Sequence, residues 1–191
     1  MTPAERARDP EARLQDALDL SYRHLGHRER TVAELRRHLE RKRIEPATID
    51  AAVAELEAQG YLDDASFARR FAEDRRALDG WGSERIERRL LAAGVAPELT
   101  AAVLAAHDGG QELDAALTLL RRRLREPPAD DRGRERALGL LVRRGYELEL
   151  AYDAVRAFER GAESADCAPQ AAVIGSAVAK NRPVGRRNTS K

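Results

Sequence analysis

The chain has 191 residues and a formal net charge of +1, with 35% charged and 4% aromatic residues. This composition fits surface-rich helices better than one large core, and no uncharged apolar run nears the ~20 residues of a spanning helix, which excludes membrane insertion. The lone cysteine, Cys167, excludes an intramolecular disulfide, and the charged first residues do not fit a signal peptide, so we expect a cytoplasmic protein.

A pattern of apolar residues recurs with a period of roughly fifty residues. The repeated positions are Leu35, Leu39, Ile44, Ile49 and Val53, then Ile86, Leu90, Val95, Leu99 and Val103, then Leu138, Val142, Tyr146, Leu150 and Val155. Repeats of this length bury their apolar faces by stacking in a row, and no segment alternates as a strand does. We therefore predict an all-α fold of three tandem three-helix repeats in an elongated, curved array.

The first repeat is predicted over residues 11–60, after a flexible N-terminus at 1–10. Its first helix carries an apolar stripe that begins at Leu14, and its second helix begins at a capping box formed by Thr31 and Glu34. Pro46 suits the first position of the third helix.

The second repeat is predicted over residues 61–110. Asp63 or Asp64 can cap its first helix, which the segment 80–82 interrupts. Ser83 is expected to cap the second helix, Gly94 to end it, and residues 108–110 to join this repeat to the next.

The third repeat is predicted over residues 111–161, with a turn at Pro127 and Pro128 and with Gly145 placed as Gly94 is in the second repeat. The helical pattern stops near Ala162. We expect residues 162–191 to form a disordered basic tail.

Motifs for catalysis or metal binding are missing from the sequence. It has no phosphate-binding glycine loop, no H-E-x-x-H and no paired cysteines, so we expect neither an enzyme nor a cofactor or metal site. His24 and His27 lie one helical turn apart but lack further ligands, and two surface imidazoles are the favoured interpretation. Trp81 could anchor a partner or cover the joint between repeats, and the joint is favoured.

One stretch of the sequence resembles the RecX family, the regulators of the RecA recombinase. The residues that carry the resemblance include Asp63, Asp64, Phe67, Phe71, Gly82, Ile86, Leu90 and Gly94. The similarity extends over about residues 12–160 and includes Ala17, Leu18 and the helix from Thr31 to Leu39. Arg43 stands where many family members have glycine, and the tail has no counterpart.

The resemblance implies a non-enzymatic, monomeric inhibitor that lies in the groove of the RecA–DNA filament. Such a protein limits filament growth, ATP hydrolysis, strand exchange and co-protease activity, in recombinational repair and the SOS response. Weak, sequence-nonspecific DNA binding is compatible with the basic residues, of which 31 of 34 are arginine.

Arginines on the concave side are predicted to contact the filament. The candidates are Arg36, Arg37, Arg41, Lys42, Arg43, Arg69, Arg70, Arg75, Arg76, Arg85, Arg88 and Arg89. Several of them should instead be intramolecular ion-pair partners. Phe67 and Phe71 fall on an apolar stripe and are expected in the core.

Two other functions compete with filament regulation. Three short helices also describe a helix-turn-helix transcription regulator, but the third helix of the first repeat, within residues 45–57, has acidic residues and no basic ones, which disfavours contact with DNA phosphates. A helical adaptor without any nucleic-acid partner is the other alternative.

Overall fold

The computed structural model describes residues 9–166, with side chains up to Gly161, and over this range it contains nine α-helices and no strand. Module 1 consists of α1 (Pro10–Leu25), α2 (Val32–Arg41) and α3 (Pro46–Ala58); module 2 of α4 (Asp64–Asp74), α5 (Ser83–Ala93) and α6 (Pro97–Ala105); module 3 of α7 (Gly109–Arg123), α8 (Asp131–Arg144) and α9 (Leu148–Asp166). The predicted all-α fold of three tandem three-helix repeats is confirmed.

Each module has a hydrophobic core of its own. The buried residues form three separate clusters, and the extensive helix–helix contacts all lie within a module. The fully buried members with the largest side chains are Leu35, Leu39 and Leu56 in module 1, Ile86 and Leu90 in module 2, and Leu120, Leu141 and Tyr146 in module 3. The expectation that the repeats bury their apolar faces by stacking is therefore wrong, because each module buries its apolar residues within itself.

The beginnings of the helices follow from local capping chemistry. Pro46 and Pro97 occupy the first positions of α3 and α6, where a proline sacrifices no hydrogen bond. The Thr31 hydroxyl accepts a hydrogen bond from the Glu34 amide at 3.1 Å, as the predicted capping box requires. The Glu34 carboxylate, however, accepts a hydrogen bond from Arg28 at 2.8 Å.

Ser83 does not cap α5, contrary to expectation. Gly82 is the N-cap, and Ser83 is the first residue of the helix. A full capping box forms instead at Asp108 and Gln111, so Gly109 already belongs to α7 and the break between modules 2 and 3 lies before it.

The first helix of module 2 ends in an unusual way. Beyond Asp74 it continues as a π-helical turn, Arg75–Asp79, which Gly80 closes in a left-handed conformation with φ of 61°. Phe67, Phe71 and Trp81 are half-buried and pack against the core of this module. The π-helical turn thus places the Trp81 indole against the core of module 2, to which Phe67 and Phe71 of the same helix also belong.

The last helix passes the predicted end of module 3. Helix α9 continues to Asp166, into the first residues of the predicted tail, whereas 167–191 lie outside the described residues, as does most of the predicted N-terminal segment. None of the helices between residues 9 and 166 combines the length and the apolar character needed to cross a membrane.

Candidate partner-binding surface

The second helices of the three modules meet end to end. The N-terminus of α2 lies against the C-terminus of α5, and the N-terminus of α5 lies against the C-terminus of α8. We call these contacts joint 1–2 and joint 2–3. They give the array a row of three helices in the order α8, α5, α2.

Backbone hydrogen bonds hold joint 2–3. The Gly82 amide donates to the Arg144 carbonyl at 3.0 Å, and the Glu84 amide donates to the Gly145 carbonyl at 3.1 Å. Free amides at the start of one helix are thus satisfied by free carbonyls at the end of another. The two helix dipoles consequently align head to tail, which is their favourable arrangement.

Joint 1–2 uses side chains for the same purpose. The Thr31 hydroxyl donates to the Ala93 carbonyl at 2.6 Å, and the Arg37 guanidinium donates to the same carbonyl at 3.2 Å. Thr31 therefore caps its own helix with one lone pair and binds the next module with its proton.

A carboxylate from the following module completes each joint. Asp64 accepts a hydrogen bond from the Val32 amide at 2.9 Å, and Glu112 accepts from the Ser83 amide and hydroxyl, each at 2.7 Å. Burial raises the pKa of Asp64 although the bond from Val32 opposes the shift. Asp63, by contrast, caps α4 through the Ser66 amide.

Close backbone approach explains two of the glycines that the sequence singled out. A Cβ on Gly82 would lie 2.4 Å from the Gly145 carbonyl oxygen, and a Cβ on Gly94 would lie 2.3 Å from the Cβ of Ala33. Neither joint leaves room for a side chain at these positions.

Joint 2–3 also encloses polar groups that the sequence did not reveal. Tyr146 is 1% exposed, and burial together with the nearby Glu112 raises its pKa to about 12. Arg144 donates to the Asp79 carbonyl. Burial lowers the pKa of Arg76, opposed by the charge of Glu112. Glu112 could not be found from the sequence, because it lies further along its helix than Asp64 does in the preceding repeat.

Several of the predicted contact arginines are engaged inside the molecule. The Arg36 side chain pairs with Asp50 at 2.6 Å, and Arg75 pairs with Asp79 at 2.6 Å. Arg70 pairs with Glu29, and Arg69 donates a hydrogen bond to the Ser66 hydroxyl. The Arg85 guanidinium lies over the ring of Trp81, 4.1 Å from its centroid, and donates to the Arg143 carbonyl.

The other predicted basic residues differ in their exposure. Arg76 is half-buried at joint 2–3. Exposed are Arg37, Arg41, Lys42, Arg43, Arg88 and Arg89. These exposed residues all belong to α2, its C-terminal turn or α5, which are neighbouring members of the helix row. Exposed arginines suit a partner that offers carboxylates or phosphates.

Possible metal ligands do not converge. In the described part of the chain no group of three or more His, Cys, Asp or Glu side chains is placed to hold a metal ion. His27 is exposed, and His24 stacks on His38 with 3.8 Å between ring centroids.

Comparisons with known proteins point to one family. Residues 17–56 match the model of the first three-helix domain of RecX, and residues 63–104 match that of the second. The chain is 39% identical to "Regulatory protein RecX" of Mycobacterium avium over 150 residues, which span 76% of this chain and 86% of the relative. It is 36% identical to the protein of the same name from Xanthomonas campestris over 135 residues, with 70% and 80% covered.

Solved structures agree in fold. The crystal structure of RecX from Lactobacillus salivarius superimposes with a TM-score of 0.69 at 13% identity, covering 78% of this chain and 99% of that one. A second structure, of a regulatory protein RecX, gives 0.64 at 17% identity, with 78% and 73% covered.

Proposed function

The chain belongs to the RecX family, and from this membership we propose that it is a non-enzymatic inhibitor of the RecA recombinase. It binds in the groove of the RecA–DNA filament and limits filament growth, ATP hydrolysis, strand exchange and co-protease activity. The observation that carries the proposal is the similarity to proteins named regulatory RecX along three quarters of the chain.

The helix row supports binding to a repeating partner. Helices α2, α5 and α8 have 10, 11 and 14 residues, and at about 1.5 Å per residue their lengths sum to about 50 Å. Joint 2–3 is fixed by backbone hydrogen bonds and both joints by buried or half-buried polar contacts. A preorganised row of this length can reach more than one protomer of a polymer without losing much conformational entropy on binding.

The charge distribution favours the RecA filament as the partner over a DNA duplex whose bases a recognition helix would read. Helix α3, which would be the recognition helix of a helix-turn-helix in module 1, exposes Asp50, Glu55 and Glu57 and has no basic residue. A major groove repels such a face. Of the predicted contact arginines, Arg37, Arg41, Arg88 and Arg89 are exposed on the second helices, where a protein surface beside a nucleic acid can meet them.

One assay tests the proposal. DNA-dependent ATP hydrolysis by the cognate RecA is measured while this protein is added at substoichiometric ratios, and binding to random duplex DNA is measured across a salt series in parallel. We expect hydrolysis to fall well before the protein equals RecA in concentration. Unchanged hydrolysis together with a tight duplex site would favour a transcription regulator, and no response in either measurement would favour an adaptor.

A further inference from the structure

Module 3 exposes apolar side chains along the seam between α8 and α9. Val142 on α8 is 43% exposed, and Leu148 and Tyr152, one turn apart on α9, are 54% and 46% exposed. The partly buried Leu138 lies one turn before Val142 and packs against the core of the module. We call these four residues the apolar strip.

One ion pair fixes the register of the two helices across this seam. Arg134 on α8 pairs with Glu159 on α9 at 2.7 Å, and a short turn joins the helices at their other ends, so they run antiparallel. Val142 lies eight residues from Arg134 toward the turn, and Tyr152 lies seven from Glu159. Both are thus displaced by about 10–12 Å along their helices. Val142 and Tyr152 therefore lie opposite each other, and Leu148 lies nearer the turn.

Charge does not select what covers the strip. Exposed Glu147 and Glu149 border it at the turn, but exposed Arg143 lies at the same end. Further along α9, Asp153 pairs with Arg156 at 3.3 Å. Since charges of both signs surround the strip, a strongly charged partner gains little there, whereas an uncharged apolar segment gains from the burial of both surfaces.

The chain beyond the described residues contains such a segment. Residues 167–179 carry no charge and include Val173, Ile174 and Val178. They stand between Asp166, where α9 ends, and the basic residues that begin at Lys180. The apolar side chains of this segment are therefore tethered to the same helix that carries half of the strip.

The length of the connecting chain suits a return to the strip. Asp166 lies 14 residues beyond Tyr152 and 18 beyond Leu148, which is about 21 and 27 Å along α9. An extended chain covers about 3.3 Å per residue, so it reaches these two points after roughly seven to nine residues when one is allowed for the reversal. Counted from Asp166, these are residues 173–175.

We propose that residues 171–178 fold back along α9 and cover the apolar strip of module 3. A segment on a short tether is present at an effective concentration in the millimolar range, so a contact of modest intrinsic affinity is enough to hold it. The inference goes beyond the proposed inhibition of RecA and does not depend on it, because it concerns the protein by itself.

Energy transfer from Trp81 tests the proposal in the full chain. Trp81 is the only tryptophan in the sequence and is followed by Gly82, which meets the end of α8 at joint 2–3, so the indole lies near the turn beside the strip. The acceptor is a dansyl group on Ser176→Cys, in a chain that also carries Cys167→Ser. A docked segment brings the dye to the turn. Ten residues of unattached chain extend on average only about 17 Å from Asp166, which itself lies about 27 Å from Leu148.

Two variants and one control separate docking from other causes. The strip variant carries Leu148→Gln and Tyr152→Gln, and the segment variant carries Val173→Gln and Ile174→Gln. The matched control carries Tyr61→Gln and Leu91→Gln, which remove the same two side-chain types from exposed positions in modules 1 and 2.

We expect the strip variant and the segment variant each to lose most of the transfer, and the control to keep it. Equal transfer in all proteins would overturn the proposal, as would a loss in the strip variant without a loss in the segment variant. Transfer that rises with protein concentration would assign the strip to a second copy of the chain and also overturn it. Circular dichroism checks helix content, and if the strip variant loses helix, the segment variant, altered outside the described residues, carries the test.

Discussion

Arg43 and Gly94 both lie just past the C-terminal end of a second helix in consecutive modules, each in a left-handed conformation, with φ of 61° and 90°. Gly145 repeats the conformation in module 3 with φ of 86°. A Cβ on Gly94 or Gly145 would strike the preceding module, at Ala33 or Arg85. In the part of the chain that the structure describes no module precedes module 1, so position 43 tolerates a side chain.

The conformation of Arg43 predicts that Arg43→Gly stabilises the protein. A residue with a Cβ in the left-handed region destabilises the folded chain by roughly 1–2 kcal/mol, and glycine removes this strain. Part of the gain is lost because glycine also gives the unfolded chain more conformational freedom. We expect the free energy of unfolding of module 1 to rise by about 1 kcal/mol in urea titrations. Arg43→Ala removes the same charge but keeps the strain, so it should bring no gain. A gain of equal size in both variants would assign the effect to charge.

The crowding at joint 1–2 predicts different costs for alanine at two left-handed glycines. Gly60 has φ of 76°, and no atom lies within 4 Å of the place that a methyl group would take there, whereas the same methyl on Gly94 meets Ala33 at 2.3 Å. Gly60→Ala should cost about 1 kcal/mol, from the backbone alone. Gly94→Ala should cost about 2–4 kcal/mol, because overpacking adds to it. Unfolding monitored by circular dichroism compares them, and similar losses would show that the joint yields easily.

The sequence predicted the modules well and the joints poorly. Apolar spacing is a local signal, and Leu35, Leu39, Ile86 and Leu90 are all buried as the predicted period places them. In the third repeat the prediction is wrong by one residue, because Leu141 is buried whereas Val142 is 43% exposed. The joints depend on long-range contacts. Glu112 reaches Ser83 from a different position in its helix than Asp64 reaches Val32, so no repeated spacing marks it. Likewise no pattern distinguishes Arg36, paired with Asp50, from exposed arginines such as Arg88.

Two stacked imidazoles predict that stability falls in mild acid. Burial and then nearby positive charge lower the pKa of His24, with His38 and Arg30 contributing. Burial and then Lys42 and Arg41 lower the pKa of His38. As the pH falls, these histidines are protonated at a higher pH in the unfolded chain than in the folded one, because their pKa values are lowered on folding. Their contribution to stability is therefore fully present above pH 6.5 and decreases as the pH falls below it.

The decrease is checked by melting temperature between pH 5 and pH 8 in the native chain and in His24→Gln/His38→Gln. The double variant should show a shallower decrease below pH 6.5. Some decrease should remain, because burial and Arg76 also lower the pKa of His107. An unchanged slope in the double variant would contradict the role of the stacked pair.

The partial burial of Phe71 predicts a moderate loss when it is truncated. A fully buried phenylalanine costs about 3–5 kcal/mol on change to alanine, and Phe71 is only half-buried, so we expect about 2–3 kcal/mol. Trp81 is the only tryptophan in the sequence and lies edge-on to Phe71 with 6.2 Å between centroids, so its fluorescence reports unfolding of module 2. Tyr61→Ala, at an exposed aromatic, should leave that transition nearly unchanged.

Charge reversal on α5 tests the contact with RecA. Arg88 and Arg89 are exposed and lie in the middle of the helix row, whereas reversal of Arg36 would face Asp50 and reversal of Arg37 would disturb joint 1–2. Arg88→Glu/Arg89→Glu should therefore raise the concentration needed for half-inhibition of RecA ATP hydrolysis by about tenfold or more, since interface arginines often dominate binding.

A matched reversal separates a specific contact from general electrostatics. Arg122→Glu/Arg123→Glu changes net charge by the same amount on α7, a helix outside the row of second helices. If inhibition depends on the middle of the row, this variant keeps nearly the original potency at physiological salt, where surface charges more than about 8 Å apart are screened from each other. Equal weakening by both reversals would mean that RecA senses only the overall charge of the protein, and potency unchanged by Arg88→Glu/Arg89→Glu would remove α5 from the proposed interface.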